Sequence, residues 1–218
     1  MALAFDAASG IGTATATSIT LAHTTTGANR YLVSFVSAGS DIVTGVTYDS
    51  VAMTQAKKQT HTATGRMLYA YVLHNPNTGG SLNIVASASG STDLRITGAS
   101  YTGAQQTTPV DASASAYNAD DPFNLSITTI ADNCWLIATH EGDAANPTAL
   151  VNATARNGTG FADTAVVDSN AVKTPPGAFT IGWDYSAGDN HNAVGISIAP
   201  AAGVNSNFLQ FFGPQPQQ

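Results

Sequence analysis

Asn29–Thr54 reads NRYLVSFVSAGSDIVTGVTYDSVAMT, and this stretch decides the fold. Apolar residues alternate with small or polar ones through 32–36 and again through 42–48, and Ser37–Asp41 breaks the pattern. A second break at Asp49-Ser50 leads into 51–54. Alternation at period two, carried by Val, Ile, Tyr and Phe, marks half-buried strands, and Gly/Ser/Asp clusters mark tight connections. The segment therefore predicts two or three consecutive antiparallel strands of a β-sandwich.

The same pattern extends in both directions. Upstream, Thr13–His23 (TATATSITLAH) sets Thr on one side of a strand and small or apolar residues on the other. Downstream, 66–74 (RMLYAYVLH) is the most strand-like run, and Asn75–Gly80 stops it, since Pro removes a donor and Gly permits positive φ. Further strands are predicted at 82–88, 94–101, 123–130, 134–139, 148–155, 161–168, 178–185 and 193–199. Polar or small-residue connections fill 55–65, 102–121 and 140–147. No useful helical period occurs. Strands spaced by about ten residues, with Gly, Pro and Asn turns, predict an all-β, two-sheet antiparallel β-sandwich, jelly-roll-like. A single domain over 1–200 is expected, followed by a linker and an apolar C-terminal arm over 201–218. The expected core comprises Leu32, Phe35, Val46, Leu68, Tyr71, Leu82, Ile84, Ile96, Trp135, Ile137, Ile181 and Ile196.

Charge narrows the function. Only 10% of residues are charged, with 7 Lys plus Arg against 14 Asp plus Glu. Nucleic acids and anionic membranes require clustered cations, and Lys57-Lys58 is the one adjacent basic pair, so neither partner is expected. A surface so poor in charge predicts self-association, with a trimer favoured. The N-terminus carries no basic region followed by an apolar one, and no run approaches 18 apolar residues, so neither a classical export signal nor a membrane span is expected. The single Cys134 lies in an apolar run and reads as a buried free thiol.

Candidate chemistry is sparse. His140-Glu141-Gly142-Asp143 and the group Asp184, Asp189 and His191 could be imagined as metal ligands, with Asp184–Asp189-Asn190 the better match to a weak calcium site. Neither follows the spacing of zinc or calcium sites, so no metal is expected. There is no G-x-S-x-G, P-loop or dinucleotide fingerprint, so no catalytic residue, cofactor or enzymatic activity is expected. Trp183 and Tyr185 share a strand face; exposed, the pair would stack on a sugar ring, and buried it would be core. In the arm, Phe208, Leu209, Phe211 and Phe212 place four large apolar groups in five positions. In water each would forgo about 1.5–3 kcal/mol of burial, so they are expected either to dock on a neighbouring subunit or major capsid protein, the favoured reading, or to fold back over a sheet edge of their own domain.

Several phrases occur in a familiar order. They are Gly27–Val33 (GANRYLV), Val43–Tyr48 (VTGVTY) with Met53-Thr54, Tyr71-Val72-Leu73 with Asn75-Pro76, Tyr101–Asp111 (YTGAQQTTPVD) and Asp132–Ile137 (DNCWLI). Together these resemble β-sandwich domains of tailed-phage structural proteins and bacterial surface proteins, over residues 13–140 and on toward 199. The resemblance implies a non-enzymatic packing module of a virion: a capsid decoration or cement protein, or a tail or fibre component. It implies contacts with copies of itself and a major capsid protein, with assembly in the host cytoplasm. The alternative from another class is a lectin-like carbohydrate-binding module using Trp183 and Tyr185.

Overall fold

The computed structural model describes residues 2–108, 110–142, 147–160, 162–185 and 190–202. Every regular element among them is a β-strand, and every ladder is antiparallel. The first sheet is built on β8 (Leu82–Thr102), which pairs on one side with β1 (Ala4–Ala8) and β2 (Gly12–His23). On its other side lie β3 (Tyr31–Ala38) and β4 (Val43–Tyr48), which continues the β3 path. Next to β4 comes β5 (Val51–Ala52), and next to β3 come β7 (Met67–His74) and β6 (Thr54–Thr60).

All three long paths break at one level. Ala16 faces Thr92 while Ser18 already faces Ser87, and residues 39–42 interrupt the path from β3 to β4. Extra residues on one strand bend a ladder, so the sheet turns a corner here. Gly39 sits at that corner because a Cβ there would lie 2.7 Å from Thr92 Oγ1. The two arms then face each other across Leu32, Val36, Tyr69 and Ile96 on one and Val46, Tyr48, Ile84 and Ala86 on the other. Their approach is close enough that a Cβ on Gly98 would come within 2.5 Å of Ile84 Cδ1. At the far ends, β5 and β6 are separated by Met53 alone, so the sheet nearly closes.

The C-terminal half supplies two more sheets. One has β13 (Thr154–Ala155), β14 (Val167–Asp168), β11 (Trp135–Gly142), β16 (His191–Ile198) and β9 (Ala112–Asn118) in that order. The other has β10 (Phe123–Thr128), β15 (Ala178–Tyr185) and β12 (Pro147–Val151). Side chains of β3, β7 and β8 meet those of β11 and β16 in one core, with Phe35, Leu68 and Tyr101 against Trp135, Ile137 and Ile196. The opposite face of β11 and β16 packs on β10 and β15 through Phe123, Leu125, Leu136 and Ile181. The molecule is thus a stack of four β layers with three cores between them. Strands of the two middle layers are covered on both faces, which is why β3, β11 and β16 are buried along nearly their whole length. The outer strand β10 alternates strictly between buried and exposed.

The all-β antiparallel fold and the expected core follow the sequence reading, with Leu82 half-buried where full burial is expected. Three differences have physical causes. The described strands form three sheets where two are expected, because one sheet is bent around its own core. The expected strands at 82–88 and 94–101 are one strand, since the Ser/Gly run between them forms the corner without leaving the ladder. The segments 55–60 and 112–118, within runs read as connections, are strands, polar in β6 and small-residued in β9, each ending a sheet where little apolar surface is needed.

Candidate functional site

The chemistry-bearing side chains gather in the gap between the bent sheet and the β11–β16 sheet. Asp168 on β14 is fully buried, and Arg156 holds it with two hydrogen bonds, Nε to Oδ2 at 2.6 Å and Nη2 to Oδ1 at 2.8 Å. Across the gap Tyr101 donates to Asp168 Oδ2 at 2.9 Å, and the Asn170 amide donates to Oδ1 at 2.9 Å. The Arg156 guanidinium also lies 4.3 Å from the ring centre of Phe5 on β1. Burial first, and the neighbouring carboxylate second, push the Tyr101 phenol well above its ordinary pKa, so it stays a donor.

Glu141 on β11 forms the second cluster. Its Oε1 accepts from Ser37 Oγ at 2.7 Å and from Arg66 Nε at 2.5 Å, both on the bent sheet or its hairpin. Arg66 donates onward from Nη1 to Asp93 at 2.9 Å and from Nη2 to Ser37 Oγ at 3.1 Å. Glu141 Oε2 is buried without a protein partner, as is the side-chain amide of Asn192 opposite it on β16. Burial raises the Glu141 pKa although Arg66 and Ser37 pull it down. A third pair, Arg95 with Asp163, crosses the same gap, and Asp163 also accepts from the Gly142 amide. A further polar contact, Ser9 Oγ to His23 Nδ1 at 2.7 Å, joins β2 to the residue after β1, and burial lowers His23 to a pKa of about 4.

The predicted ligand runs are split by strand geometry. His140 and Glu141 are neighbours on β11, so period two sends them to opposite faces. His140 enters the outer core, where Tyr185 Oη lies 2.8 Å from its Nδ1 and the Trp183 ring centre is 4.8 Å away. Burial lowers it to a pKa of about 4, opposed by the charge of Asp163. Asp143 and Asp189 lie outside the described residues, and among the described ones no three acid, His or Cys groups converge.

Trp183 and Tyr185 do share a face, and it is the inward one. Trp183 stacks with Phe123 at 6.1 Å between centres, and Tyr185 stacks on His191 at 3.6 Å and 13°. Neither ring is accessible, so of the two readings the pair takes the core one and offers no sugar-stacking face; alternation turns Asp184 outward instead. The arm residues Phe208, Leu209, Phe211 and Phe212 lie outside the described residues. A surface hollow of about 190 Å³ lined by Thr54, Val72, Leu73 and His74 is smaller than the few hundred Å³ of a usual ligand pocket. Sequence reasoning missed the Arg156–Asp168–Tyr101 and Arg66–Glu141–Ser37 clusters, whose members meet only through the folding of distant strands. No protein-family profile, curated protein or solved structure matches the chain.

Proposed function

We propose that this chain is a non-enzymatic virion structural protein that works by packing: a capsid decoration or cement protein, with a tail or fibre component as the nearest variant. The observation that carries the reading is the layered stack in which Glu141, Asp168 and Asp163 each bond across the gap between the bent sheet and the β11–β16 sheet. Such a body resists shear between layers, and its low charge allows close contact with copies of itself. The ordered phrases that resemble those of tailed-phage structural proteins add to this. Within the reading, the subunit is a jelly-roll-like sandwich, a trimer is the favoured state, and Phe208, Leu209, Phe211 and Phe212 anchor the arm on a neighbouring subunit or major capsid protein in a virion assembled in the host cytoplasm. A glycan-binding module would need a platform other than Trp183 and Tyr185.

The test is removal of the chain beyond Gly203. The truncated protein is expected to keep its melting temperature while losing its oligomeric state in light scattering and its incorporation into particles. Unchanged assembly would overturn the anchor. A coding region lying among genes of unrelated metabolism, with no capsid, portal or tail genes beside it, would overturn the virion reading.

A further inference from the structure

Strand β2 is twelve residues long, and among the described residues its strand partner is β8 alone. Its other edge therefore presents a row of main-chain donors and acceptors. Edges of this kind are normally guarded by Lys, Pro or a covering segment, because they template pairing with another strand. Between Asp6 and His23 there is no ionisable side chain and no proline. Thr13, Thr15 and Thr17 point to solvent, while Ala14 and Ala16 are half-buried beneath them.

The sequence of this edge has a symmetry of its own. Ile11–Ile19 reads IGTATATSI, which is the same in both directions except that Gly12 exchanges with Ser18. Two copies paired antiparallel about a twofold axis at Thr15 set Thr13 opposite Thr17, Ala14 opposite Ala16, and Thr15 opposite itself. From 13 to 17, up to the bulge that β2 makes beside Thr17, every cross-strand pair is then like with like in size and polarity, the condition for a self-complementary contact, and Gly12 opposite Ser18 is the one unlike pair of 11–19. Side chains of unlike size or charge would leave gaps or repulsion under the same operation. The chain as a whole carries a net charge of −7, and this edge is where two copies can meet without opposing charges.

We infer that the β2 edge is a self-association surface, where a second copy of this chain adds its own β2 antiparallel about Thr15 and continues the bent sheet across two molecules. The inference rests on the assembly reading above and deepens it by naming a contact. A twofold contact cannot close a trimer; it links two protomers, or two trimers side by side. A paired stretch of about five residues is small, so the contact is weak in dilute solution and gains from repetition in an array.

Sedimentation of the full chain from micromolar to millimolar concentration tests this, together with amide exchange at 13–17. Protection of these amides is expected to rise with concentration. Because the operation sets 13 against 17, Thr13→Lys with Thr17→Lys puts like charges opposite each other twice and is expected to weaken association about tenfold. Thr13→Lys with Thr17→Glu puts opposite charges there and is expected to restore it, which a mere loss of stability would not do. Both pairs of substitutions fall on the solvent face. If the two variants associate alike, the β2 contact is overturned while the assembly reading stands. If 13–17 is protected equally at every concentration, the edge is covered within the chain and the inference is likewise overturned. A strict monomer throughout overturns both.

Discussion

Asp168 and Glu141 face the same interlayer gap and are held in different ways. Asp168 has both oxygens occupied, by Arg156, Tyr101 and the Asn170 amide, and its side chain is inaccessible. Glu141 has one oxygen occupied and one bare, and its arginine remains partly open to solvent and shared with Asp93. A buried carboxylate is stabilising only where its desolvation is offset by several directed bonds. The first cluster meets that condition and the second meets it halfway. The difference between them marks Asp168 as the more fully satisfied buried carboxylate, although only the Tyr101 bond and the Arg156–Phe5 contact of its cluster cross to the bent sheet, whereas both Glu141 bonds do.

The largest effect expected is therefore at Asp168. Asp168→Ala leaves the buried Tyr101 hydroxyl without its acceptor and the partly buried Arg156 with only Asn170 Oδ1 at 2.6 Å and the Phe5 ring, and a loss of about 3 kcal/mol is expected in denaturant unfolding. Glu141→Gln keeps an acceptor for Ser37 and Arg66 while removing a charge that burial disfavours, and about 1 kcal/mol is expected. Equal losses at the two sites would break the comparison.

A titration sharpens it. His140, next to Glu141 and on the other face of β11, is lowered from 6.5 to about 4 by burial. The unfolded chain then binds the proton more readily than the folded one, so stability is lost as pH falls from 6.5 toward 4. The loss is on the order of 3 kcal/mol by linkage. Glu141 has the opposite sign. Its folded pKa is raised, so its contribution is full below the ordinary Glu value and declines as pH rises through the folded one. Acid unfolding curves of His140→Gln are expected to be flatter than those of the parent between pH 6.5 and 4. An unchanged slope would show that His140 is not held neutral.

The parts of this structure legible in the sequence are those that depend on one strand at a time. Alternation in Asn29–Thr54 finds β3 and β4, and apolar runs such as MLYAYVL and WLIAT mark strands covered on both faces. Layer number was not legible, because the corner near Thr17, Gly39 and Ser89 is visible only as a coincidence of three distant small-residue runs. The Asp168 cluster was hidden for the same reason, since Tyr101 lies 67 residues from its acceptor. Adjacent His140 and Glu141 suggested a ligand pair, yet a strand sends neighbours apart, and strand assignment through 142 would have excluded the pairing. Trp183 and Tyr185 shared a face as read, but alternation alone could not say whether that face met solvent or another sheet.

The smallest effect is expected from a short but exposed ion pair. Lys58 Nζ lies 2.6 Å from Asp41 Oδ2, but the two side chains are 44% and 52% exposed. Hydrogen bonds from Lys58 and then Tyr69 lower the Asp41 pKa. Water already solvates both charges, so the attraction gained on folding is small and is opposed by the entropy of fixing a long lysine. Without Lys58, Asp41 still accepts from the Tyr69 hydroxyl at 2.8 Å, so no buried group loses its partner. Lys58→Ala is expected to change unfolding free energy by no more than about 0.5 kcal/mol, and by less still in high salt. A loss comparable to that of Asp168→Ala would mean that distance, and not burial with complete bonding, decides which of these pairs stabilises the fold.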